Sequence, residues 1–469
     1  MNGEPGPLTT YEGYLIKVNP GNSSIPIRAA FGSKYSLYID ASDGDRLRDG
    51  ERYNKLLLNI NDREYDLGKC IFFLDYNDLG FPGRLIFLND IYDFKKLFFK
   101  QQFVNLETLT NDLEVILDQK ERIKQEFRDY INDLIYDLKV YKHFFDDLDR
   151  KFSPEPDQVK EIVLHTVINR EGRKFMTFFN QKLKQMEELV AGYTKEEQAL
   201  HGFYLRKQLW DIISCSSFMV RTNLKPRGYA GDSVMMRMIY ENSYYGDSTF
   251  SKILYKISLE HPAAQAVRNR RIIIAKTIIN LRENLGSPDE RLKFMSIACG
   301  CAYELQDLFV SEEDISRYEC TLFDQDREAL KEAKINVSGI EKKLGYRISV
   351  NYIEDSVRTM LRSSEVVRKW GTYDFVYSMG MFDYLTPPVA KAVMAVIFSL
   401  LEPGGRLLIG NFHVSNQSRW FMEFWHDWVL YYRTEQEFTD LLEGIPVEDV
   451  KVIFEDSGSQ MFLTARKPL

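Results

Sequence analysis

The chain has 469 residues, of which 44% are hydrophobic and 28% are charged, and its formal net charge is −8. This length allows about two to four domains, and the composition is that of a folded protein. The acidic balance argues against the basic footprint of a nucleic-acid-binding protein, so we expect no DNA partner. The sequence has no run of about 18 apolar residues and no N-terminal targeting pattern. We therefore predict a cytoplasmic protein without a membrane span.

The cysteines point to neither a disulfide framework nor a metal site. Their number is odd and no two of them form a Cys-x-x-Cys pair; they are Cys70, Cys215, Cys299, Cys301 and Cys320. We predict reduced thiols, without disulfides or structural zinc.

The N-terminal region is rich in short β-type runs. Residues 1–10 are glycine-, proline- and polar-rich and are expected to be disordered, whereas residues 11–100 alternate such runs with glycine-containing turns. This spacing predicts a small antiparallel β-barrel. The region faintly resembles PilZ domains, which bind cyclic dinucleotides through an Arg-x-x-x-Arg stretch and an Asp-x-Ser-x-x-Gly turn. Here no Arg-x-x-x-Arg precedes the turn, and the turn at 40–44 is one residue short, so we predict a degenerate barrel without that ligand.

Residues 101–156 change to a helical period. Apolar residues recur at intervals of three and four up to Leu134, and Pro154 and Pro156 end the pattern. Two interpretations remain open: a coiled coil that forms a homodimer through residues 101–150, or a long helix packed on its own barrel. Lys120 and Asp137 interrupt the apolar seam, which otherwise contains Leu106, Leu109, Leu113, Ile116, Ile123, Phe127, Tyr130 and Leu134.

The C-terminal two thirds divide into a helical region and an α/β region. Residues 157–290 show helical patterning without strands, most clearly from Ala264 to Arg282. From Arg291 onward strand, turn and helix alternate, which predicts a parallel sheet with crossover helices. The predicted fold is therefore multidomain α+β and α/β, with a Rossmann-like sheet over 291–469.

A ligand-binding loop follows the first strand of this sheet. The apolar run 293–298 leads into a turn with small residues at Ala298, Gly300 and Ala302, which would let a ligand lie against the backbone at the carboxyl edge of the sheet. The next strand ends in Asp324, followed by Gln325. A carboxylate at that position can accept both ribose hydroxyls of an adenosine.

The residue types of this loop favour one of two adenosine-containing cofactors, a dinucleotide or S-adenosylmethionine. A dinucleotide needs a third small residue three positions on, where this chain has Tyr303 or Leu305. Glu304 would also place a negative charge beside two phosphates. S-adenosylmethionine (SAM) has no phosphate, and its ammonium and sulfonium tolerate a carboxylate. We therefore predict SAM as the cofactor.

Later strand ends complete the predicted site. A third strand ends before Asp355 and Ser356, which are suited to bind the adenine edge of SAM. A fourth strand ends at Ser378, which is predicted to lie over the methyl group of SAM. Phe382 and Tyr384 follow it as candidate substrate contacts. Helix 387–401, strand 406–410 and a final hairpin at 450–464 would finish the sheet.

This order of elements is similar to class I SAM-dependent methyltransferases. Four stretches, at 225–232, 296–305, 377–385 and 411–413, more closely resemble the bacterial family of extracellular-factor 3-hydroxypalmitate methyl ester synthases, over roughly residues 200–469. The resemblance implies methyl transfer to a small, apolar acceptor, specifically to the carboxylate of a hydroxy fatty acid. That family usually has proline where this chain has Cys301.

Residues 225–236 precede the sheet and are predicted to cap the site. Arg227, Tyr229 and Asp232 lie between glycines, so Arg227 could grip an anionic substrate while Tyr229 contacts it. The alternative is a turn between helices in which Arg227 and Asp232 are solvated or paired. His413, after the fifth strand, or Asp232 would take a proton from a hydroxyl or amine acceptor, whereas a carboxylate acceptor needs no base.

Two further clusters have competing interpretations. Aromatic residues at 420–428 form either a wall for an apolar acceptor or a buried helix face. Arg268, Arg270 and Arg271 are interpreted as a solvated helix face. The whole pattern predicts a SAM-dependent methyltransferase; the alternative is a regulatory protein in which the barrel, as a nucleotide sensor, controls a module that binds SAM with little or no turnover.

Overall fold

The computed structural model describes residues 10–17, 23–33, 36–40, 47–48, 50–60, 63–74, 83–87, 120–287, 289–362 and 365–469. These belong to two compact units, Met1–Gln119 and Lys120–Leu469. Among the described residues, no helix is long and apolar enough to cross a membrane. All five cysteines are free, and no group of described side chains could hold a metal ion.

In the described part of the N-terminal unit, eight strands form an antiparallel sheet. In space their order is β4-β7-β8-β3-β2-β1-β5-β6, and the strands are β1 (Thr10–Lys17), β2 (Ser23–Ser33), β3 (Ser36–Asp40), β4 (Arg52–Tyr53), β5 (Lys55–Ile60), β6 (Arg63–Asp66), β7 (Cys70–Leu74) and β8 (Gly83–Phe87). Leu56 and Leu58 are buried while Lys55 is exposed, the alternation of a half-buried strand. The β-rich prediction is confirmed. Residues 41–46 of the shortened turn lie outside the described residues, so the PilZ-like likeness stays a prediction.

Eight helices open the C-terminal unit. They are α1 (Gln125–Phe152), α2 (Asp157–Val167), α3 (Arg173–Val190), α4 (Lys195–Ile213), α5 (Ser217–Leu224), α6 (Ser233–Glu241), α7 (Thr249–Glu260) and α8 (Pro262–Glu283), with a π-helical turn (Ile168–Gly172) between α2 and α3. Local sequence sets several starts: Thr194 and Ser248 form capping boxes, and Pro262 occupies the first turn of α8. The helical prediction for 157–290 is confirmed.

The described part of the predicted dimer seam is buried within this chain. Ile123, Phe127, Tyr130 and Leu134 belong to one hydrophobic cluster with residues of α3, α4 and α7. These four side chains are therefore unavailable to a second copy, and the coiled-coil interpretation is wrong for them. Helix α1 begins only at Gln125, and the remaining seam positions lie outside the described residues. Asp137, which interrupted the pattern, pairs with Lys182 of α3.

The second half of this unit is a Rossmann-like sheet of seven strands. Their order is β11-β10-β9-β12-β13-β15-β14; they are β9 (Leu292–Ile297), β10 (Tyr318–Asp324), β11 (Val350–Glu354), β12 (Tyr373–Ser378), β13 (Leu401–Phe412), β14 (Glu448–Phe454) and β15 (Gln460–Arg466). The first five are parallel, and β15 runs antiparallel to β13 and β14. The predicted parallel sheet with a final hairpin is confirmed.

Helices cover both faces of this sheet. The connections contain α9 (Leu305–Leu308), α10 (Glu312–Arg317), α11 (Arg327–Leu344), α12 (Val357–Arg362), α13 (Val366–Trp370), α14 (Pro387–Ser399), α15 (Arg419–Trp425) and α16 (Glu435–Thr439). Neighbouring strand residues alternate between two cores: Phe294 packs on one face and Met295 on the other. Because β9, β10 and β12 are parallel, their carboxyl ends share one edge. The loops that follow these strands meet there.

Candidate functional site

A cavity of about 580 Å³ lies at this edge of the sheet. One side, the strand-end wall, comes from segments 298–304, 323–325 and 379–385, which follow β9, β10 and β12. The other side, the helical wall, comes from segments 229–240, 258–270 and 418–430, around α6, α8 and α15. A volume of this size suits a small-molecule site, whose usual range is roughly 300–1,000 Å³.

The loop after β9 has an unusual backbone. Ala298, Gly300 and Ala302 have φ values of 55°, 56° and 49°, so three alternate residues adopt the left-handed conformation. For each alanine this conformation costs roughly 1–2 kcal/mol. Hydrogen bonds hold the loop in place: Cys299 N donates to Phe323 O over 3.0 Å. All three small residues line the cavity as predicted, and such strain is typical of functional sites.

Asp324 anchors this loop from the end of β10. Its Oδ2 accepts from Gly300 N and its Oδ1 from Asp326 N, each over 2.9 Å. The side chain is 6% exposed, and burial raises its pKa. Each carboxylate oxygen has room for a second hydrogen bond. Asp324 and Gln325 therefore line the cavity as predicted, with accepting capacity to spare.

Glu304 adds a second acid to the strand-end wall. It is buried, and its Oε1 accepts from the hydroxyl of Tyr377 over 2.8 Å. Among the described residues, Oε2 has no hydrogen-bond partner. Burial raises the pKa of Glu304. A neighbouring cation would stabilise its ionised form.

Four other predicted site residues do not line the cavity; they are Asp355, Ser356, Ser378 and Phe382. Asp355 accepts from Lys369 Nζ over 2.6 Å, and Phe382 is buried in the sheet core. The predicted adenine position is lined by apolar Val357 and Leu361. After β11 the cavity is therefore lined by residues two to six positions later than the predicted Asp355.

Arg227 also lies outside the cavity lining. Its Nη1 donates to Asp326 Oδ2 over 2.9 Å and its Nη2 to Glu332 Oε1 over 3.0 Å. The guanidinium thus ties the segment before α6 to α11. The expectation that Arg227 grips an anionic substrate does not fit this geometry, because two carboxylates already hold its fork.

The other two candidate catalytic residues have structural partners. Asp232 is fully buried, caps α6 by accepting from Met235 N, and pairs with Arg221. His413 contacts Ser415 Oγ and, over 3.1 Å, Glu435 Oε2. Neither residue lines the cavity. The structure thus gives both residues roles in holding elements together.

Two predicted substrate contacts do reach the cavity, as does Phe421 of α15. Tyr229 and Tyr384 line it with their rings 6.1 Å apart, and the Tyr384 hydroxyl accepts from Trp428 Nε1 over 2.8 Å. Phe421 and Met422 also line the cavity, whereas Phe424 and Trp425 pack in the helical core. One face of α15 therefore lines the cavity and the other is buried in the helical core, while the role of the cavity face as a wall for an acceptor stays a prediction.

Sequence reasoning missed a buried arginine. Arg270 on α8 is 6% exposed and lines the cavity, where its Nη1 donates to Met379 O over 3.3 Å. The solvated-face interpretation is therefore wrong for Arg270, and Arg271 instead pairs with Asp307. A signal was present, because Arg270 lies in register with the buried stripe of Val267 and Ile274.

Asp383 is a second missed residue, next to Arg270. A Cβ at Gly380 would lie 3.3 Å from Arg270 Nη1 and 3.7 Å from Asp383 Oδ2, so these groups flank the same glycine. Asp383 is buried and accepts from Phe412 N over 2.7 Å. Burial raises its pKa to about 7, although Arg270 and Arg433 oppose this shift. A cation and a titratable acid thus meet where the two walls join.

No family model matches the chain, and no curated protein sequence matches it. Solved structures do match. A possible exported protein from Bordetella parapertussis is 17% identical with a TM-score of 0.39, over 64% of this chain and 98% of that one. The CurJ carbon methyltransferase is 15% identical with a TM-score of 0.36, over 61% and 71%. Magnesium protoporphyrin IX methyltransferase from Synechocystis PCC 6803, with bound SAH, is 14% identical with a TM-score of 0.33, over 44% and 86%.

Proposed function

We propose that the chain is a SAM-dependent methyltransferase that acts on a small, largely apolar acceptor. The observation that carries this proposal is a single cavity with two different walls. The strand-end wall offers a backbone loop and three acids, Glu304, Asp324 and Asp383, and the helical wall is mainly apolar. A cofactor and an acceptor bound in one cavity could be aligned with each other and could displace water from between them, as methyl transfer requires.

The strand-end wall suits the cofactor. The small residues at 298–302 allow an adenosine to approach the backbone, and Asp324 retains accepting capacity for the ribose hydroxyls. Glu304 would stabilise the ammonium or sulfonium of SAM, whereas it would repel a pyrophosphate. The same charge argument that favoured SAM in the sequence therefore holds for the folded site.

The helical wall suits an acceptor with an anionic end. Arg270 brings a guanidinium to a mostly apolar surface, and such a group binds carboxylates bidentately. In the proposed reaction a carboxylate oxygen attacks the methyl group of SAM. An oxygen–carbon bond forms while the carbon–sulfur bond breaks, and the electron pair remains on sulfur to give S-adenosylhomocysteine. Because a carboxylate is already ionised, no residue has to remove a proton.

The test combines binding with product chemistry. Calorimetry first measures SAM binding to the full chain. The protein is then incubated with methyl-labelled SAM and lipid, peptide and RNA fractions, and separately with 3-hydroxyhexadecanoic acid. We expect label in an extractable product that releases labelled methanol in base, as an ester does. A base-stable product would contradict carboxylate methylation. Absence of SAM binding would contradict the proposal, and SAM binding without labelling of any fraction would favour the regulatory alternative.

A further inference from the structure

Two histidines from distant parts of the chain meet in the helical wall. His261 connects α7 to α8, and His426 follows α15. Both line the cavity and flank one ring: the centroid of Phe421 lies 4.2 Å from that of His261 and 4.6 Å from that of His426. Ser258, one turn before His261, lines the same region. Three polar side chains are thus concentrated in a surface that is otherwise mainly apolar.

The polar atoms of this group are buried and lack partners. Among the described residues, neither the Nε2 of His261, the Nε2 of His426 nor the Oγ of Ser258 has a hydrogen bond. His426 is 2% exposed and Ser258 4% exposed. Buried polar groups in native proteins are normally hydrogen-bonded, because an unpaired one loses its interaction with water without compensation. Three such atoms in one cavity wall indicate a site that a ligand completes.

The neighbours of His426 fix the role of its free nitrogen. Its Nδ1 lies 3.1 Å from the hydroxyl of Thr222, which in turn lies 3.0 Å from Met219 O. Within a helix a threonine hydroxyl donates to a carbonyl of the preceding turn. Thr222 then accepts from Nδ1–H, which leaves Nε2 of His426 with its lone pair. This atom is therefore a hydrogen-bond acceptor.

The group carries no charge near neutral pH. Burial lowers the pKa of His261 to about 4 and that of His426 to about 3. Both rings are therefore neutral and too weakly basic to take a proton from an alcohol. The three side chains themselves offer an anion no positive charge, in contrast to Arg270 at its own part of the cavity. A neutral group that both donates and accepts is the suitable ligand.

We propose that His261, His426 and Ser258 form a subsite that binds a hydroxyl group on an otherwise apolar ligand. A hydroxyl can donate to Nε2 of His426 while its oxygen accepts from a neighbouring group. The identification of this ligand with the methyl acceptor rests on the proposed function, whereas hydroxyl binding itself does not. The three residues then act as specificity determinants and take no part in the chemical step.

The first test compares two probes that differ only in the polar atom. 1-Octanol and 1-fluorooctane have the same chain length, but only the alcohol donates a hydrogen bond. We expect 1-octanol to bind the full chain roughly 10-fold more tightly, as one hydrogen bond to a buried group predicts. In protein carrying ¹⁵N-labelled histidine, 1-octanol should shift the ring-nitrogen resonances of two of the six histidines.

Variants decide whether these histidines cause the preference. In His261→Phe/His426→Phe the preference for 1-octanol should be lost or reversed, because phenyl rings keep the packing but leave the buried hydroxyl without a partner. The single variant His426→Gln retains an acceptor and should keep part of the preference, which guards against misfolding of the double variant. His165→Phe, on the exposed side of α2, is the control.

The outcomes separate this proposal from the proposed function. Equal binding of both probes by the native protein, or an unchanged preference in the double phenylalanine variant, would overturn the subsite. SAM calorimetry on the same samples tests the methyltransferase independently, because neither histidine belongs to the strand-end wall. A hydroxyl preference in a protein that binds no SAM would leave the subsite standing and contradict the enzyme.

Discussion

The two walls of the cavity are built in different ways. Each segment of the strand-end wall directly follows a parallel strand, so the topology of the sheet is enough to bring 298–304, 323–325 and 379–385 together. The helical wall combines segments 229–240 and 258–270, which precede the sheet in the chain, with segment 418–430, which follows β13. The contrast shows that topology alone assembles the strand-end wall, whereas the helical wall depends on long-range packing.

The walls also differ in charge. The strand-end wall contributes Asp324 and Glu304, while the helical wall contributes Arg270 and two neutral histidines. Under the proposed function, the acidic wall faces the cationic cofactor and the arginine faces an anionic acceptor. This separation would hold the two reactants in a fixed order, because exchanging them would place like charges together. The following experiments probe this division, beginning with the largest expected effect.

Asp383, where the walls join, should make stability fall as pH rises. Its pKa is raised from 3.8 to about 7, so between these values the folded protein binds a proton that the unfolded chain lacks. Its stabilising contribution is complete below about pH 4 and is lost by pH 8, an effect of up to roughly 4 kcal/mol. Urea unfolding of the native protein and of Asp383→Asn across this range should show their difference changing by this amount. A pH-independent difference would place Asp383 in a polar environment.

Asp324→Ala should weaken SAM binding by about 2–4 kcal/mol, or roughly 30- to 1,000-fold. The variant removes both ribose hydrogen bonds and the contact that holds Gly300. Calorimetry measures the loss, and Glu328→Gln on the exposed start of α11 serves as the control. Unchanged SAM affinity would remove Asp324 from the cofactor site, and tighter binding of NAD than of SAM would overturn the cofactor assignment.

Arg270→Gln should lower acceptor turnover by about 10- to 100-fold, equivalent to roughly 1.5–3 kcal/mol, and leave SAM affinity nearly intact. Arg227→Gln is the matched comparison, because its guanidinium is held by Asp326 and Glu332. We expect it to reduce stability by about 1 kcal/mol with little effect on turnover. Steady-state kinetics and urea unfolding, measured on both variants, separate an effect on turnover from an effect on stability for each arginine. A large loss of turnover for Arg227→Gln alone would restore the cap interpretation of residues 225–236.

Gly231→Ala should disturb the helical wall by about 1–2 kcal/mol. The added Cβ would lie 2.5 Å from the Tyr384 hydroxyl and 2.7 Å from Trp428 Cζ2, so the hydrogen bond between these residues must shift. Gly339→Ala, within α11, is the counterpart, because its Cβ would meet no atom within 4 Å. There we expect stabilisation by about 0.5–1 kcal/mol from helix propensity. Equal changes of the urea unfolding midpoint in Gly231→Ala and Gly339→Ala would show that the residues around Gly231 accommodate the added methyl group without cost.

The sequence by itself determined the parallel sheet, the small-residue loop and the position of Asp324. These features follow from local patterns, because apolar strands, short turns and the carboxyl ends of parallel strands impose one geometry wherever they occur. For the same reason the predicted residues Ala298, Gly300, Ala302, Glu304 and Gln325 line the cavity. The end of β11 was less predictable, since a difference of a few residues decides which side chain reaches the cavity.

Only the tertiary structure decided which polar residues face the cavity and which support the fold. Arg227, Asp232 and His413 are suited to catalysis by residue type, yet carboxylates, a helix end or neighbouring side chains engage each of them. Arg270 resembled a surface residue, and it reaches the cavity only because α8 packs its guanidinium against Met379 and Met236. Side chains brought together over such sequence distances leave no local pattern, because their partners are set by packing and not by spacing.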